Sequence, residues 1–358
     1  MTRVAFYAPM KAPDSPIPSG DRQMARNLMA AIGANGTPVD LVSRLRIYDK
    51  TGDASVQAAL RRAARSEAER LIADLPGDTR LWVTYHNYYK APDLLGPVVA
   101  KARGIPYVQL ESTRALSRLT GPWAGFARAA HDACDAARVI FYHTANDLIT
   151  LKRERYGGQA LIELPPFLPR TDLPPQSVCD GSMLAVGMMR PGDKLASYAI
   201  LAQTLALLHG DWSLDIAGDG PARAQVQALM APFGARVRFL GQLDAPAMQD
   251  AYARAALLVW PGVNEAYGMT YLEAQATGVP VVAQDRPGVR DVLTPSCYPK
   301  PEEGPQALAD RIDMLLADAD LRRAEGAKAR QRIADRHLMP AASDRFWAGV
   351  APLLEDHA

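Results

Sequence analysis

The stretch Asn264-Glu265-Ala266-Tyr267-Gly268-Met269-Thr270-Tyr271-Leu272-Glu273-Ala274-Gln275-Ala276-Thr277-Gly278-Val279-Pro280-Val281-Val282-Ala283 reads as loop, helix and strand in succession. Gly268 is the turn before the helix, Gly278 its end, and residues 279–283 an apolar, β-branched strand. Glu265 and Glu273 stand eight positions apart, one before the helix and one within it. The first N–H groups of a helix lack partners inside it and carry the positive end of its dipole. An anionic ligand can therefore sit at Gly268-Met269-Thr270 with a carboxylate on either side.

Working back from that stretch, strand and helix alternate: strand 183–187 and helix 196–208, strand 212–217 and helix 222–230, strand 237–240 and helix 245–254, then strand 256–260. Residues 1–163 keep the same rhythm. Strands are expected near 4–8, 39–43, 81–85, 105–110, 138–143 and 161–164, with helices at 20–32, 55–75, 94–103, 123–136 and 145–156. Such alternation predicts α/β architecture with a parallel sheet wound on both faces in each half. Residues 164–175 hold five prolines and read as a linker. Two domains are expected, 1–168 and 169–341. A last segment, 342–356, carries Phe346, Trp347, Val350, Leu353 and Leu354 at helical spacing, a stripe that can cross back onto the first domain.

Open parallel sheets bind ligands outside the carboxyl ends of their strands. In the first half that rule points to residues 7–20, 86–88 and 111–114, and so to Gly20, His86 and Glu111. Gly20 serves either as a plain turn or as a place where a ligand approaches the backbone. His86 is either a partly exposed structural histidine or a group reaching a site. In the second half the loop 188–194 follows a strand and contains Arg190 and Lys194, cations suited to phosphate charge.

Composition narrows the partners. At 358 residues with a formal charge of +1, the chain lacks the strongly basic balance of a nucleic-acid binder. Residues 1–173 hold 23 Lys and Arg against 17 Asp and Glu, a net of +6, which leaves −5 for the rest. A basic first half is compatible with an acidic acceptor or with peripheral contact at an anionic membrane. Cys134, Cys179 and Cys297 are far apart and have no metal-ligand spacing, as in a reduced cytosolic protein. The N-terminal apolar run is too short for a signal peptide, and no span reaches the length of a membrane helix. A cytoplasmic location is expected, with the inner face of the membrane open to it.

The pattern Glu265-x7-Glu273, with Tyr267-Gly268 inside it and Leu272-Glu273-Ala274 running on to Gly278-Val-Pro-Val-Val, resembles the E-x7-E signature of retaining GT-B glycosyltransferases, family 4. Val186-Gly187 with the basic loop, Gly218-Asp219-Gly220-Pro221 and Phe239-Leu240-Gly241 extend the resemblance over most of the second half. It implies a GT-B architecture, two doubly wound Rossmann-like domains facing each other across a cleft. It also implies transfer of a sugar from a nucleotide-diphosphate donor of UDP, GDP or ADP type, with retention of anomeric configuration. Glu273 would then accept from the ribose hydroxyls and Glu265 from those of the transferred sugar. The backbone at Gly268, Met269 and Thr270 would hold the diphosphate and sugar, with Arg190 and Lys194 balancing charge on the leaving group. Gly187 and Gly20 would border the diphosphate, Leu240 and Gln242 the base, and His86 and Glu111 the acceptor or sugar. No cofactor and no metal is implied, because cations of the protein take the place of a divalent ion. Two departures stand out. Met188 and Met189 sit where the family carries its arginine directly after the strand glycine, and Glu111 sits where many relatives carry a histidine.

Other classes remain open at this level: a GT-B-type nucleotide-sugar epimerase, a phosphorylase, or a non-catalytic nucleotide-sugar binding protein. An epimerase needs further acid/base residues in the first domain, and a phosphorylase needs a lysine that holds pyridoxal phosphate. Neither is evident. The acceptor, whether glycan, lipid or small molecule, is not legible in the sequence.

Overall fold

A computed structural model of the chain describes residues 2–17 and 19–355. Its contacts divide the chain into two compact units, Met1–Pro165 with Met339–Ala358, and Pro166–Leu338. Residue 356 of the expected last segment lies outside the described residues.

The first unit alternates β1 (Arg3–Tyr7), α1 (Gly20–Gly33), β2 (Val39–Ser43), α2 (Ala54–Asp74), β3 (Thr79–Asn87), α3 (Gly96–Arg103), β4 (Tyr107–Ser112), α4 (Ala124–Ala136), β5 (Val139–Tyr142), α5 (Ala145–Arg153) and β6 (Ala160–Glu163). The strands form one sheet in the order β2-β1-β3-β4-β5-β6, with every described pairing parallel. Helix starts are set by local chemistry. The Ser19 hydroxyl accepts from Arg22 N at 3.2 Å, and Asp53 accepts from Ser55 N and Val56 N. Asp93 is buried, and its carboxylate collects the Thr84 and Tyr107 hydroxyls (2.6 and 2.7 Å) and the N–H groups of Leu95 and Gly96. Four donors are what a buried carboxylate requires.

The second unit runs β7 (Met183–Val186), α6 (Asp193–Leu205), β8 (Leu214–Ala217), α7 (Arg223–Met230), β9 (Val237–Gly241), α8 (Ala245–Arg254), β10 (Leu258–Val259), α9 (Met269–Ala276), β11 (Val281–Val282), α10 (Val289–Val292), α11 (Gly304–Ala317) and α12 (Ala319–Arg336). Its parallel sheet has the order β11-β10-β7-β8-β9. The final helix, α13 (Met339–Glu355), packs on the first unit. Phe346 stacks on Phe141 at 5.3 Å, and the Trp347 indole donates to Ile32 O at 3.1 Å. Among the described residues no helix is long and apolar enough to cross a membrane.

Two local differences from the expected pattern matter for the site. Helix α6 begins at Asp193 rather than near 196, because Gly192 at φ 83° turns the chain and Asp193 favours a first helical turn. Lys194 therefore stands on a helix, not on a free loop. The proline-rich segment is not a loose tether either. Leu164, Phe167 and Leu168 are buried, and Leu168 N donates to His337 O at 2.8 Å within the second unit.

Candidate functional site

In the second unit the chain moves outward from β7 to β9, then returns to the other side of β7 to lay down β10. The winding direction reverses between β7 and β10, and such a reversal is where an open parallel sheet leaves a crevice for ligands. Gly187 and residues 188–194 leave the end of β7, and residues 260–268 leave the end of β10.

These two loops are joined by one carboxylate. The Lys194 ammonium donates to Glu265 Oε1, and the same oxygen accepts the Trp260 indole N–H at 2.9 Å. The ammonium also lies 5.6 Å from the Trp260 ring centroid. Tyr198 packs edge-on against that ring and donates to Gly187 O at 2.7 Å. The loop carrying Glu265 is stitched to the first turn of α6, with Asn264 donating to Asp193 (2.9 Å) and Val263 N donating to Ser197 Oγ (3.0 Å). Glu265 is thus held rigidly, with a cation at hand. Gly187 has a steric reason: a Cβ there would lie 2.6 Å from the Trp260 ring.

Arg190 is exposed, while its neighbour Met189 is core. Met189 N donates to Asp219 O, and its carbonyl accepts from Ala222 N, so the loop is pinned with methionine inward and Arg190 outward. Gly268 adopts φ 75° and no side chain caps α9. A Cβ at Gly268 would stand 2.6 Å from the Tyr271 ring, so the exposed helix start depends on glycine. Met269 and Thr270 are half-buried in that first turn.

One turn further, Glu273 accepts from the Tyr252 hydroxyl at 2.8 Å. Burial pushes the Glu273 carboxyl above the usual carboxylate range, and the Tyr252 hydrogen bond works in the opposite direction. Glu273 and Tyr252 line a cavity of about 520 Å³ whose wall continues through Leu243, Met248, Gln249 and Arg170. Leu240 and Gln242 are not on that wall. Leu240 packs against the core, and Gln242 is exposed. The sequence reading missed Tyr252, Trp260 and Gln249, whose partners lie far along the chain or across the cavity.

The first unit has a switch of its own, between β1 and β3. His86, at the end of β3, and Glu111, at the end of β4, share a level in the sheet, because Tyr85 pairs with Leu110 and Asn87 with Ser112. Both adopt left-handed backbone angles, φ 66° and 54°. His86 Nδ1 lies 3.2 Å from Asp21 Oδ1, just inside α1, and Glu111 Oε2 lies 3.7 Å from His143 Nε2. His143 Nδ1 faces Leu164 O at 2.6 Å, which makes Nδ1 the protonated nitrogen and turns Nε2 to Glu111. Burial disfavours a charged His86, but Glu111, Asp21 and Asp147 outweigh it and hold its pKa above the ordinary value. Asp21, next to Gly20 at a helix start, and His143, at the end of an expected strand, carry in the sequence only the signal of that position. Gly20 opens α1 with nothing described within 4 Å of an added Cβ.

Left-handed backbone at a non-glycine residue costs roughly 1–2 kcal/mol. Glu111→Gly is therefore expected to unfold at a higher denaturant concentration than Glu111→Ala, by about 1 kcal/mol. An alanine variant equal to or more stable than the glycine variant would remove the strain argument. Among the described residues no group of three or more His, Cys, Asp or Glu is arranged to hold a metal ion.

Residues 181–318 match the family of glycosyl transferases group 1. Over 110 residues, 31% of this chain, the sequence is 36% identical to a GDP-mannose-dependent alpha-mannosyltransferase of Mycolicibacterium smegmatis. Over 173 residues, 47% of this chain, it is 29% identical to the alpha-D-kanosaminyltransferase of Streptomyces kanamyceticus. The chain spans 27% of the first relative's length and 44% of the second's. Among solved structures, sucrose-phosphate synthase from Thermosynechococcus elongatus superposes with a TM-score of 0.71 at 17% identity, over 99% of this chain and 100% of that one. Anabaena HepE, solved in complex with UDP, gives 0.69 at 14% identity, over 98% of this chain and 100% of that one. Two parallel-sheet α/β units and these neighbours make the fold that of the GT-B glycosyltransferases.

Proposed function

We infer that the protein is a glycosyltransferase that moves a sugar from a nucleotide-diphosphate donor to an acceptor hydroxyl with retention of anomeric configuration. The observation that carries this reading is the clamp at the β7/β10 switch. Glu265 is fixed by Lys194 and Trp260 beside the uncapped helix start at Gly268, and Glu273 follows one turn later on a cavity wall. Carboxylates are pure acceptors and suit hydroxyls, whereas cations and free N–H groups suit a diphosphate. Glu273 takes the ribose hydroxyls and Glu265 those of the sugar. The N–H groups of Met269 and Thr270, with Arg190 and Lys194, take the diphosphate.

In the reaction the bond from the anomeric carbon to the phosphate oxygen breaks, and a bond to the acceptor oxygen forms on the same face. The acceptor proton passes to the departing diphosphate. Charge grows on that diphosphate as it leaves, and preorganised cations lower the barrier at that point. No protein nucleophile is assigned, and no divalent ion is invoked. His86 and Glu111, with Asp21 and His143, form the acceptor side of the reading in the first unit. A cytoplasmic setting and an acceptor drawn from glycans, lipids or small molecules belong to the same proposal. The relatives named for mannosyl and kanosaminyl transfer support the class of reaction without naming this donor.

The deciding experiment incubates the protein with UDP-, GDP- and ADP-sugars, with and without candidate acceptors, and follows release of nucleoside diphosphate and the anomeric configuration of product. Product of retained configuration, formed equally with a chelator present, is expected. Donor binding without turnover under every acceptor would point to a binding module, and donor isomerisation alone would point to an epimerase.

A further inference from the structure

The loops beyond β2, β3 and β4 of the first unit meet in one surface made of aromatic rings and cations. Tyr88 and Ala91 exchange backbone hydrogen bonds (3.4 and 2.9 Å), which closes a tight turn with Tyr89 and Lys90 at its tip. Asp49 N donates to Lys90 O at 3.0 Å, and the Trp123 indole donates to Asp49 O at 3.3 Å. Residues 44–50, 88–91 and 115–123 are thereby tied together. The rings form a series that starts at His86: His86 to Tyr88 at 4.9 Å, Tyr88 to Tyr89 at 5.6 Å, and Tyr89 to Trp123 at 5.8 Å.

Two cations are shared by the outer pair of rings. The Lys90 ammonium lies 5.6 Å from the Tyr89 ring centroid and 5.5 Å from that of Trp123. Arg118 lies 5.1 and 5.6 Å from the same two rings. Neither side chain makes a hydrogen bond or an ion pair among the described residues. An aromatic face holds a cation in place without neutralising it, so both charges stay available to a ligand. The carboxylates of these loops are engaged elsewhere. Asp49 is buried and accepts from Thr51 N, Gly52 N and the Gln57 amide, and Asp53 caps α2. Arg46 adds a third cation on the loop beyond β2, 4.6 Å over the Tyr48 ring. The two ends of the ring series therefore differ in charge. Asp21 and Glu111 stand at the His86 end and suit hydroxyls, while the Trp123 end is cationic.

We propose that the surface formed by Tyr89, Lys90, Arg118 and Trp123 binds the acceptor, and that this acceptor is an acidic saccharide whose carboxylate or phosphate lies apart from the hydroxyl that is glycosylated. The inference rests on the transferase reading above and adds to it the class of acceptor. The Tyr48 and Tyr89 hydroxyls are free of hydrogen bonds among the described residues, and with the cations they fit a hydroxylated, negatively charged chain. A bilayer surface fits less well, because docking there needs apolar side chains that enter the headgroup region. Among the described residues of these loops, Leu116, 40% exposed, is the one large apolar side chain on the surface, and the rings are half-buried.

A glycan array probed with the full chain tests this. It sets oligosaccharides bearing uronate or phosphate against their carboxyl-reduced and dephosphorylated counterparts. The acidic members should bind about tenfold more tightly, and added salt should weaken them. Whichever acid binds names the anionic group. Lys90→Ala and Arg118→Ala should each cost about tenfold, and Arg118→Lys should recover part of the loss. Affinity for nucleoside diphosphates should not change in these variants, and thermal unfolding confirms that each is folded. Equal binding of the neutral counterparts, binding of no member, or unchanged binding when Lys90→Ala and Arg118→Ala are combined overturns the inference. Phosphatidylglycerol vesicles form a second arm. If they bind, and they rather than the glycans are lost in the combined variant, the surface is a membrane contact and the acceptor class falls. If acidic glycans fail while nucleotide sugars bind, this inference falls and the donor reading stands. If acidic glycans bind as expected and no nucleotide sugar is bound or turned over, the saccharide surface stands and the transferase reading falls.

Discussion

Lys194→Ala is expected to lower the rate of sugar transfer by about 100- to 1,000-fold while changing nucleotide affinity much less. The ammonium stands beside Glu265 on the first turn of α6, so it is already in place when the donor arrives. On the proposed reading, the diphosphate is met in the ground state by several groups, the α9 helix start and Arg190 among them. As the bond to the anomeric carbon breaks, negative charge accumulates on the leaving phosphate, and the contribution of a fixed cation grows at that moment. An interaction that strengthens only in the transition state shows in kcat rather than in binding. Lys194→Arg keeps the charge but changes its reach and hydration, and should recover only part of the rate. Steady-state rates alongside equilibrium binding of the nucleoside diphosphate provide the check. Wild-type turnover in Lys194→Ala would sink the catalytic assignment. Because the substitution also strips a partner from Glu265, leaving the Trp260 indole, unfolding curves are needed to separate lost chemistry from a lost fold.

The second large effect is expected at Glu273. Hydrogen bonds to a charged acceptor contribute about 1.5–3 kcal/mol, so Glu273→Ala should weaken nucleotide binding by roughly ten- to a hundredfold. The same carboxylate makes binding depend on pH. Its folded-state pKa is raised by burial, so the neutral form persists above the usual carboxylate range. The ionised form is the better acceptor for ribose hydroxyls, so nucleotide affinity should rise with pH through that raised value and level off above it. The stability effect has the opposite sign. Between the unfolded pKa of about 4.3 and the raised folded value, the native state binds more protons, so this group's contribution to stability falls as pH rises and is constant beyond. Calorimetry across acidic to neutral pH, with Glu273→Gln as the flat control, reads both. Tyr252→Phe removes the hydroxyl that opposes the rise and should move the transition to still higher pH. A Glu273→Gln variant with the wild-type pH profile would transfer the titration to another group.

Much of the fold was legible because its signals are local. Hydrophobic period, turn glycines and capping residues act within a few positions, and they located nearly every strand and helix to within a few residues. Ser19 before α1 and Gly268 before α9 are such signals, and both elements begin where these residues stand. Where local reading erred, a longer-range constraint governed the outcome. The apolar run at 256–260 is continuous, but β10 spans only Leu258–Val259, because an apolar run reports burial while ladder length depends on the neighbouring strands. Met189 falls in the loop expected after β7, yet that loop is pinned by Asp219 and Ala222 and carries it into the core.

By itself, the sequence determined the class of the protein, two βα-alternating halves, and the residue types available at each strand end, because period and turn chemistry are written in neighbouring residues. Only the tertiary structure decided which of them meet. Lys194 and Glu265 are 71 positions apart, Tyr252 and Glu273 are 21, and Asp21 and His86 come from different elements of the first unit. These meetings follow from sheet order. Placing β10 beside β7 brings the Glu265 loop to α6, and placing β3 beside β1 brings His86 to Asp21. Strand order is set by the packing of whole layers, a global balance of burial and winding direction that no short stretch of residues encodes.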